Sequence, residues 1–212
     1  MKIIPYQERY EKTWVYCKGL AYLFSDFFDD ISRYKDGLDY FEDKIELIAL
    51  EGETVIGLLD IGIYDKESSQ NYPYVQADKV AYFANLAVHP DYQNKGIATR
   101  LFEEAEALLR QKKVDVLAIF TRGDANANHL YHKWGAKLIC RDWLVQGLPK
   151  TEKQSFQFCV SLDDKRLVFK TDDGEFPYYQ REGLYIVSKE EHLSDFDACA
   201  IYEERTYLKW YS

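Results

Sequence analysis

The stretch that decides the fold reads Val88-His89-Pro90-Asp91-Tyr92-Gln93-Asn94-Lys95-Gly96-Ile97-Ala98-Thr99. It follows an apolar run, residues 79–88, of the kind that forms a buried strand. Proline lacks a backbone N–H and restricts the residue before it, so the strand is predicted to end at His89. Over residues 97–113 the apolar residues keep helical spacing, and the lysines at the far end suit the helix dipole. A polar turn is therefore predicted to lead from a strand into an amphipathic helix.

This turn is a candidate binding site for a phosphorylated cofactor. It exposes backbone N–H groups at the positive end of a helix dipole, which favours a pyrophosphate. Gly96 and Ala98 stand where bulk would obstruct a ligand, and Lys95 and Arg100 could add positive charge. The chain contains neither the dinucleotide fingerprint G-x-G-x-x-G nor the P-loop G-x-x-x-x-G-K-[ST]. The cofactor is therefore predicted to belong to neither of those two classes.

Strand and helix signals alternate along the rest of the chain. Apolar runs at residues 45–50 and 54–64 flank a glycine turn and predict a hairpin. Residues 65–73 and 147–153 have the composition of loops. We expect the last C-terminal strand to return to the main sheet. The other predicted elements are strands at 2–4, 114–121 and 137–145, helices at 14–24 and 125–134, and C-terminal strands at 156–160, 166–170, 183–187 and 198–210.

Composition narrows the class of protein. The chain has 212 residues, 47% of them hydrophobic and 30% charged, so one globular domain is the default. Its net charge of −9 would repel nucleic acid and attract a cationic amine. We expect a cytoplasmic protein, because no apolar run predicts a membrane span and the amino terminus turns polar too early for a signal peptide. No metal site is expected, since no acidic residue or cysteine recurs with His129 and His132 at ligand spacing.

The segment from Gln93 to Ala98 matches the phosphate loop [QR]-x-x-G-x-[GA] of the GNAT superfamily of acetyltransferases, and the chain resembles that family. Leu86-Ala87-Val88-His89-Pro90 precedes the loop, and Ala127-Asn128-His129-Leu130-Tyr131-His132-Lys133-Trp134-Gly135-Ala136 follows at the family's usual distance. The resemblance is clearest over residues 79–138. It implies an α+β fold with a central, mixed, mostly antiparallel sheet flanked by helices. Residues 1–212 would form a single domain, with residues 146–212 as a β-rich C-terminal extension packed on it.

The resemblance also implies a cofactor and the residues that hold it. The chain would be an N-acetyltransferase that uses acetyl-CoA as its co-substrate. In the family the strand before the loop splays from its neighbour, so backbone groups of Leu86, Ala87 and Val88 would bind the pantetheine arm. The pyrophosphate would be held by Gln93, Asn94, Lys95, Gly96, Ile97, Ala98 and Thr99.

The helix after the next strand carries the residue that resembles the family's general acid. Tyr131 falls on the tyrosine that in many members protonates the departing thiolate. The side chain seven residues earlier, usually asparagine, is Asp124 here. An ionised carboxylate cannot donate a hydrogen bond to the pantetheine, so Asn126 or Asn128 could substitute for it.

Two proton transfers are expected during catalysis. With a pKa of about 10 for tyrosine and about 8.5 for a thiol, protonation of the thiolate by Tyr131 is uphill by roughly 2 kcal/mol. Deprotonation of an alkyl ammonium with a pKa of about 10.4 costs about 4.6 kcal/mol at pH 7, so a base is also required. Many family members carry a glutamate near the positions of Ala84 and Asn85, but neither residue can act as a base. Asn85 could hold a relay water, and His89 is a further candidate.

The acceptor is expected near Phe24-Ser25-Asp26-Phe27-Phe28-Asp29-Asp30, where the resemblance places the loop between the first two helices. The side chains of Asp26, Phe28, Asp29 and Asp30 could bind an organic cation. An acidic helix cap with core phenylalanines is the alternative interpretation. The C-terminal extension would cover the acceptor site or form a homodimer contact.

Three functions are compatible with these patterns. The first is acetylation of a small cationic amine by direct attack in a ternary complex, because no cysteine falls in the motifs to form an acetyl-enzyme. The second is acetylation of a protein or peptide. The third is an acyl-CoA-binding sensor without turnover, which the departures at Asp124 and at the glutamate position leave open.

Overall fold

The computed structural model describes residues 1–23, 25–27, 30–35, 37–150, 157–161, 166–171, 174–176 and 183–211. The chain divides into two compact units, Met1–Cys140 with Arg205–Ser212, and Arg141–Glu204. The strands and α-helices, in chain order, are β1 (Lys2–Pro5), α1 (Glu11–Tyr22), β2 (Asp43–Glu51), β3 (Thr54–Ile63), α2 (Lys66–Gln70), β4 (Val80–Val88), α3 (Ile97–Gln111), β5 (Val116–Thr121), α4 (Ala125–Lys133), β6 (Lys137–Pro149), β7 (Gln157–Ser161), β8 (Arg166–Thr171), β9 (Gly174–Phe176), β10 (Gly183–Val187) and β11 (Phe196–Trp210).

The first unit is built on a mixed sheet with the strand order β1-β2-β3-β4-β5-β11. All neighbours in this sheet are antiparallel except β4 and β5, which run parallel. Residues 205–210 of β11 pair with residues 116–121 of β5, so the last strand returns to the sheet as predicted. The mixed, mostly antiparallel sheet confirms the predicted α+β fold.

Helices cover this sheet on both faces, because successive side chains of a strand point to opposite sides. Leu47 and Ala49 of β2 belong to a core cluster with α3, whose buried residues include Leu101. Ile48, between them in sequence, belongs to a separate cluster with Trp14 of α1. The helix α3 therefore packs on one face of the sheet and α1 on the other.

The second unit is built from strands, as expected for a β-rich C-terminal extension. Within it β10 pairs with β6 in antiparallel fashion, and β7, β8 and β9 form a separate antiparallel sheet. A Cβ atom at Gly147 would lie 2.6 Å from the backbone oxygen of Asp197, so this glycine allows β6 and β11 to approach closely. In the described part of the chain no helix has the length and apolar character needed to cross a membrane.

Three local predictions were wrong. Residues 65–73, predicted as a loop, contain α2, which begins after an Asp65 carboxylate that accepts from the Ser68 N–H at 2.7 Å. Within described residues 23–42 no second helix precedes β2, so β2 and β3 separate the acidic and aromatic segment from the next helix, α2. Gly147, predicted in a loop, continues β6 because it pairs with Gly183 of β10.

A hydrogen bond between β11 and α4 provides a test of how the returning strand is held. The Tyr207 hydroxyl donates to Asn128 Oδ1 at 2.7 Å, and both residues are buried. We expect Tyr207→Phe to lower the free energy of unfolding by roughly 1–3 kcal/mol, because it leaves a buried acceptor without its donor. Urea unfolding measures this change.

The matched control is Tyr211→Phe. The Tyr211 hydroxyl is buried and has no hydrogen-bond partner within the described residues, so its removal should cost little or be stabilising. Equal destabilisation by the two substitutions would contradict the assignment of this hydrogen bond as the anchor of β11.

Candidate active site

The two parallel strands β4 and β5 separate near their carboxyl ends. They pair from Val80 with Val116 up to Phe83 with Ile119, and no later β4–β5 pair occurs in the described part of the chain. On the other side of β4 the register shifts, since Ile61 faces Phe83 while Asp60 faces Asn85. One extra residue in β4 is therefore a β-bulge, which bends the strand and re-aims the residues after it.

The opening between the strands is where the predicted pantetheine-binding residues Leu86, Ala87 and Val88 lie. These residues continue β4 beyond its last pair with β5, while their other edge pairs with β3. Backbone groups on an unpaired strand edge require partners from a ligand, water or side chains. The hydroxyl of Tyr22, at the end of α1, lies beside the Leu86 backbone.

The loop before α3 has the backbone conformation of an anion-binding turn. Asn94 and Gly96 have positive φ angles of 60° and 76°, and Gly96 is the N-cap of α3 without any side-chain cap. The first bond of the helix runs from the Arg100 N–H to the Gly96 carbonyl. Among the described residues no backbone acceptor faces the N–H groups of residues 94–99. These donors, at the positive end of a 15-residue helix, favour a phosphate group.

Two predicted cofactor-binding side chains brace this loop. The Gln93 side chain donates to the Val88 carbonyl at 3.3 Å, and Lys95 Nζ donates to the Asp91 carbonyl at 2.9 Å. His89, the further candidate base, caps the short 3-10 helix Pro90–Tyr92, since its Nδ1 accepts from the Asp91 N–H. The backbone of the loop is thus the part that is arranged for a ligand.

Tyr131, the predicted acid, lies in the core beside the opening. Its ring packs edge-on against Phe83, the last residue of β4 that pairs with β5, with ring centroids 5.9 Å apart. Burial raises the pKa of Tyr131, and a hydrogen bond with Thr121 at the end of β5 offsets only part of that effect. Proton donation therefore costs more than the sequence-based value of roughly 2 kcal/mol.

The start of α4 is held together by the polar residues around Asp124. The Asp124 carboxylate caps the helix, because Oδ1 accepts from the N–H groups of Asn126 and Ala127. The Asn128 side chain donates to the carbonyls of Arg122 and Asp124, at 2.8 and 2.6 Å. Asn128 thus has a structural role in the turn, while the exposed side chain of Asn126 remains available to a ligand.

Two of the four predicted acceptor-binding residues can be placed. The Asp26 carbonyl accepts from the Arg122 guanidinium, and the Arg122 guanidinium lies over the ring of Phe27. Asp30 forms a 3.2 Å salt bridge with the buried Lys18 of α1, so part of its charge is already compensated. Phe28 and Asp29 lie outside the described residues.

A buried carboxylate beside the bulge was missed by sequence reasoning. Asp60 of β3 is 1% exposed, and its Oδ2 accepts from the Asn85 side chain at 3.1 Å. Lys35 lies 3.7 Å from the same oxygen and also pairs with Glu46 of β2. Burial raises the pKa of Asp60 to about 7, although Lys35 lowers it. The sequence contained one sign of this buried carboxylate, since Asp60 is a single charged residue inside the apolar run of β3.

The fold is that of an α+β protein whose loop before α3 has backbone N–H groups with no backbone acceptor among the described residues, and comparison with known proteins identifies its family. The model of the Acetyltransferase (GNAT) family matches residues 9–136. The chain belongs to this family, and it is an acetyl-CoA-dependent acetyltransferase. A search of the curated proteins finds no matching sequence.

Solved structures share the fold at low sequence identity. A protein of Streptococcus mutans UA159, smu.2055, is 15% identical with a TM-score of 0.53, and each chain is 99% covered. The ribosomal-protein-S18-alanine N-acetyltransferase of Escherichia coli is 14% identical, with a TM-score of 0.52 and coverage of 100% of this chain and 94% of that one. Arabidopsis thaliana NAA60, solved with a bisubstrate analogue, is 13% identical, with a TM-score of 0.52 and coverage of 99% and 97%. At this identity the likeness establishes the fold.

The loop before α3 is predicted to bind the pyrophosphate of acetyl-CoA, and Gly96 provides the test. A Cβ atom at Gly96 would meet nothing within 4 Å, so the space beside it is open, but its φ of 76° disfavours other residues. We expect Gly96→Glu to abolish acetyl-CoA binding in calorimetry, because a carboxylate would stand where the phosphates bind.

Gly52→Glu is the matched control for backbone strain. Gly52, in the turn between β2 and β3, also has a positive φ of 59°, and a Cβ atom there would meet nothing within 4 Å. Its neighbour Glu51 accepts from the Tyr92 hydroxyl, so this variant adds strain and negative charge near the loop but not at the N–H groups of the loop. This variant should lose similar stability and keep its affinity. Unchanged affinity of Gly96→Glu would contradict the assignment of the loop.

Proposed function

We propose that the protein transfers the acetyl group of acetyl-CoA to a primary amine of a small cationic molecule, by direct attack in a ternary complex. The observation that carries this proposal is the buried carboxylate of Asp60 beside the bulge of β4. It is accompanied by Asp30, in a chain with a net charge of −9. Carboxylates in a partly desolvated site attract a cation more strongly than those in water.

The residues that would hold acetyl-CoA are those of the opening and the loop. The N–H groups at the start of α3 would bind the pyrophosphate, and the edge of β4 from Leu86 to Val88 would bind the pantetheine arm. Asn126 would offer a side-chain amide from α4. When bound, acetyl-CoA supplies a thioester whose acetyl carbon accepts the amine and whose thiolate leaves.

The cysteines support direct attack over an acetyl-enzyme. Burial raises the pKa of Cys17, on the α1 side of the sheet, to about 12. A thiol with such a pKa stays protonated at neutral pH and is a poor nucleophile. Cys140 and Cys199 are the other free cysteines among the described residues, and they lie outside both the loop and the opening.

An amine panel tests the acceptor class. The panel contains 1,4-diaminobutane, spermidine, 2-phenylethylamine, glucosamine and a hexapeptide with a free amino terminus, and release of free thiol from acetyl-CoA is measured. We expect the highest kcat/KM with a small cation, and we expect added salt to lower it because screening weakens the attraction to the carboxylates. Highest activity on the peptide would favour a protein acceptor. Binding of acetyl-CoA without thiol release from any member would favour the sensor.

Tyr131→Phe tests the acid. We propose that Tyr131 donates a proton to the leaving thiolate, since its hydroxyl stays protonated over the whole working pH range. We expect kcat to fall by roughly 10²- to 10⁴-fold, the usual range for a general acid, with unchanged affinity for acetyl-CoA. The ring is kept, so the packing of α4 should survive, and any loss of thermal stability should be limited to that of the hydrogen bond with Thr121.

Tyr22→Phe distinguishes the two hydroxyls near the opening, because the Tyr22 hydroxyl lies beside the Leu86 backbone. Tyr211→Phe, remote from the opening, controls for loss of a buried hydroxyl. A large fall in kcat for Tyr22→Phe with none for Tyr131→Phe would assign the acid to α1.

A further inference from the structure

We propose that Asp60 is the base that takes the proton from the acceptor ammonium before it attacks, with Asn85 as its positioning residue. This assignment rests on the proposed function, since it presupposes an amine acceptor. Ala84 and Asn85 occupy the positions where the resemblance implies a glutamate, and His89, the other candidate from the sequence, caps a short helix. The structure instead places a carboxylate on the neighbouring strand, directly opposite Asn85.

The position of Asp60 relative to the opening is fixed by the bulge. Phe83 is the last residue of β4 that pairs with β5, and Asn85, two residues later, faces Asp60 across the β3–β4 ladder. The Asn85 amide donates to Oδ2 at 3.1 Å. The carboxylate therefore lies one strand away from the edge where the thioester would be bound, and it is held in one orientation by a residue of that edge strand.

One oxygen of this carboxylate has no partner. Asp60 Oδ1 is buried and accepts no hydrogen bond within the described residues, whereas Oδ2 has both Asn85 and Lys35 nearby. A buried acceptor without a donor costs stability, so such an atom in a native structure requires an explanation. A bound ammonium, or a water that leads to it, would supply the missing donor.

The charged and titratable groups around Asp60 come from every element packed against it. Lys35 precedes β2, Glu46 lies in β2, Lys18 and Tyr22 lie in α1, and Tyr6 follows β1. Burial raises the pKa of Asp60 to about 7, Lys35 and Lys18 lower it, and Glu46 raises it. A carboxylate with such a pKa is partly ionised at neutral pH and holds a proton more firmly than an exposed one. These are the properties of a general base.

The transfer is balanced within the proposed reaction. An N–H bond of the ammonium breaks, an O–H bond forms at Asp60 Oδ1, and the electron pair stays on nitrogen as the attacking pair. Asp60 then returns its proton to solvent. The thiolate receives its proton separately, from Tyr131 of α4. The proposed acid, Tyr131, and the proposed base, Asp60, thus lie in different environments, which lets the pKa of each be set separately.

The experiment compares wild type with Asp60→Asn, using the panel amine that gives the highest thiol release. For wild type we expect kcat/KM to rise with pH and level off through an apparent pKa near 7. Asp60→Asn should lose this rise of kcat/KM with pH, and its kcat at pH 7 should fall at least about 100-fold. Its affinity for acetyl-CoA should be unchanged, and its kcat should partly recover as pH approaches the pKa of the amine. Retention of this rise and of kcat would overturn the assignment.

Glu46→Gln is the matched control, since it removes the other carboxylate that pairs with Lys35. Glu46 raises the pKa of Asp60, so its removal should keep turnover and move the rise of kcat/KM to lower pH. A purely structural role for Asp60 predicts no such displacement. If wild type releases thiol and Asp60→Asn is fully active, the assignment of Asp60 as the base is refuted and the proposed function stands. If wild type releases no thiol with any amine of the panel, both the proposed function and the assignment of Asp60 are refuted.

Stability against pH gives a readout that is independent of turnover. The pKa of Asp60 is raised from 3.8 to about 7 by folding, so the folded state holds the proton more tightly than the unfolded chain. The stabilising contribution of the group is complete below pH 3.8 and is lost as pH rises through about 7. In urea unfolding, the wild type should weaken relative to Asp60→Asn over this interval. A constant difference between the two proteins would show that Asp60 has an ordinary pKa and would overturn the proposal.

Discussion

The extra residue in β4 is the constraint on which the rest of the first unit depends. Parallel strands remain paired only while their registers match, and the bulge ends the match between β4 and β5 after Phe83. On one face it directs Phe83 toward Phe102 and Trp134, with centroid distances of 6.4 and 6.5 Å. On the other face it brings Asn85 to Asp60. A single backbone irregularity therefore creates the opening and the polar group beside it.

On the α1 face of the sheet, buried lysines are paired with carboxylates, which offsets the cost of burying their charges. Lys18 and Lys35 are almost fully buried, and each has a carboxylate partner, Asp30 for the first and Glu46 for the second. Removal of one member of such a pair leaves an uncompensated charge, so these pairs are poor targets for simple alanine scanning. Asp60 differs from the other carboxylates because one of its oxygens has no partner among the described residues. In this network the two lysines are neutralised by carboxylates, and Asp60 is the carboxylate proposed to accept a proton.

The returning strand β11 connects a distant part of the sequence to α4, the helix that carries Tyr131. The Tyr207 hydroxyl in β11 bonds to Asn128 in α4, and Asn128 in turn bonds to the turn that contains Asp124. The ring of Tyr131, three residues after Asn128, packs 5.9 Å from the ring of Tyr207. The orientation of Tyr131 therefore depends on the carboxyl-terminal residues of the chain, although its own motif lies far upstream.

The sequence by itself determined the features that depend on neighbouring residues. The turn from β4 into α3 follows from Pro90, Gly96 and the helical periodicity after Ile97, and the structure has the strand, the turn and the helix where the sequence predicts them. The short helix α2 was missed because its only signals are a cap and five polar residues, which a loop also contains. Tertiary structure alone decided the environment of Asp60. Its partners Lys35, Glu46 and Asn85 are up to 25 residues away in sequence. Their meeting depends on strand register and on burial, and neither can be read from local sequence patterns.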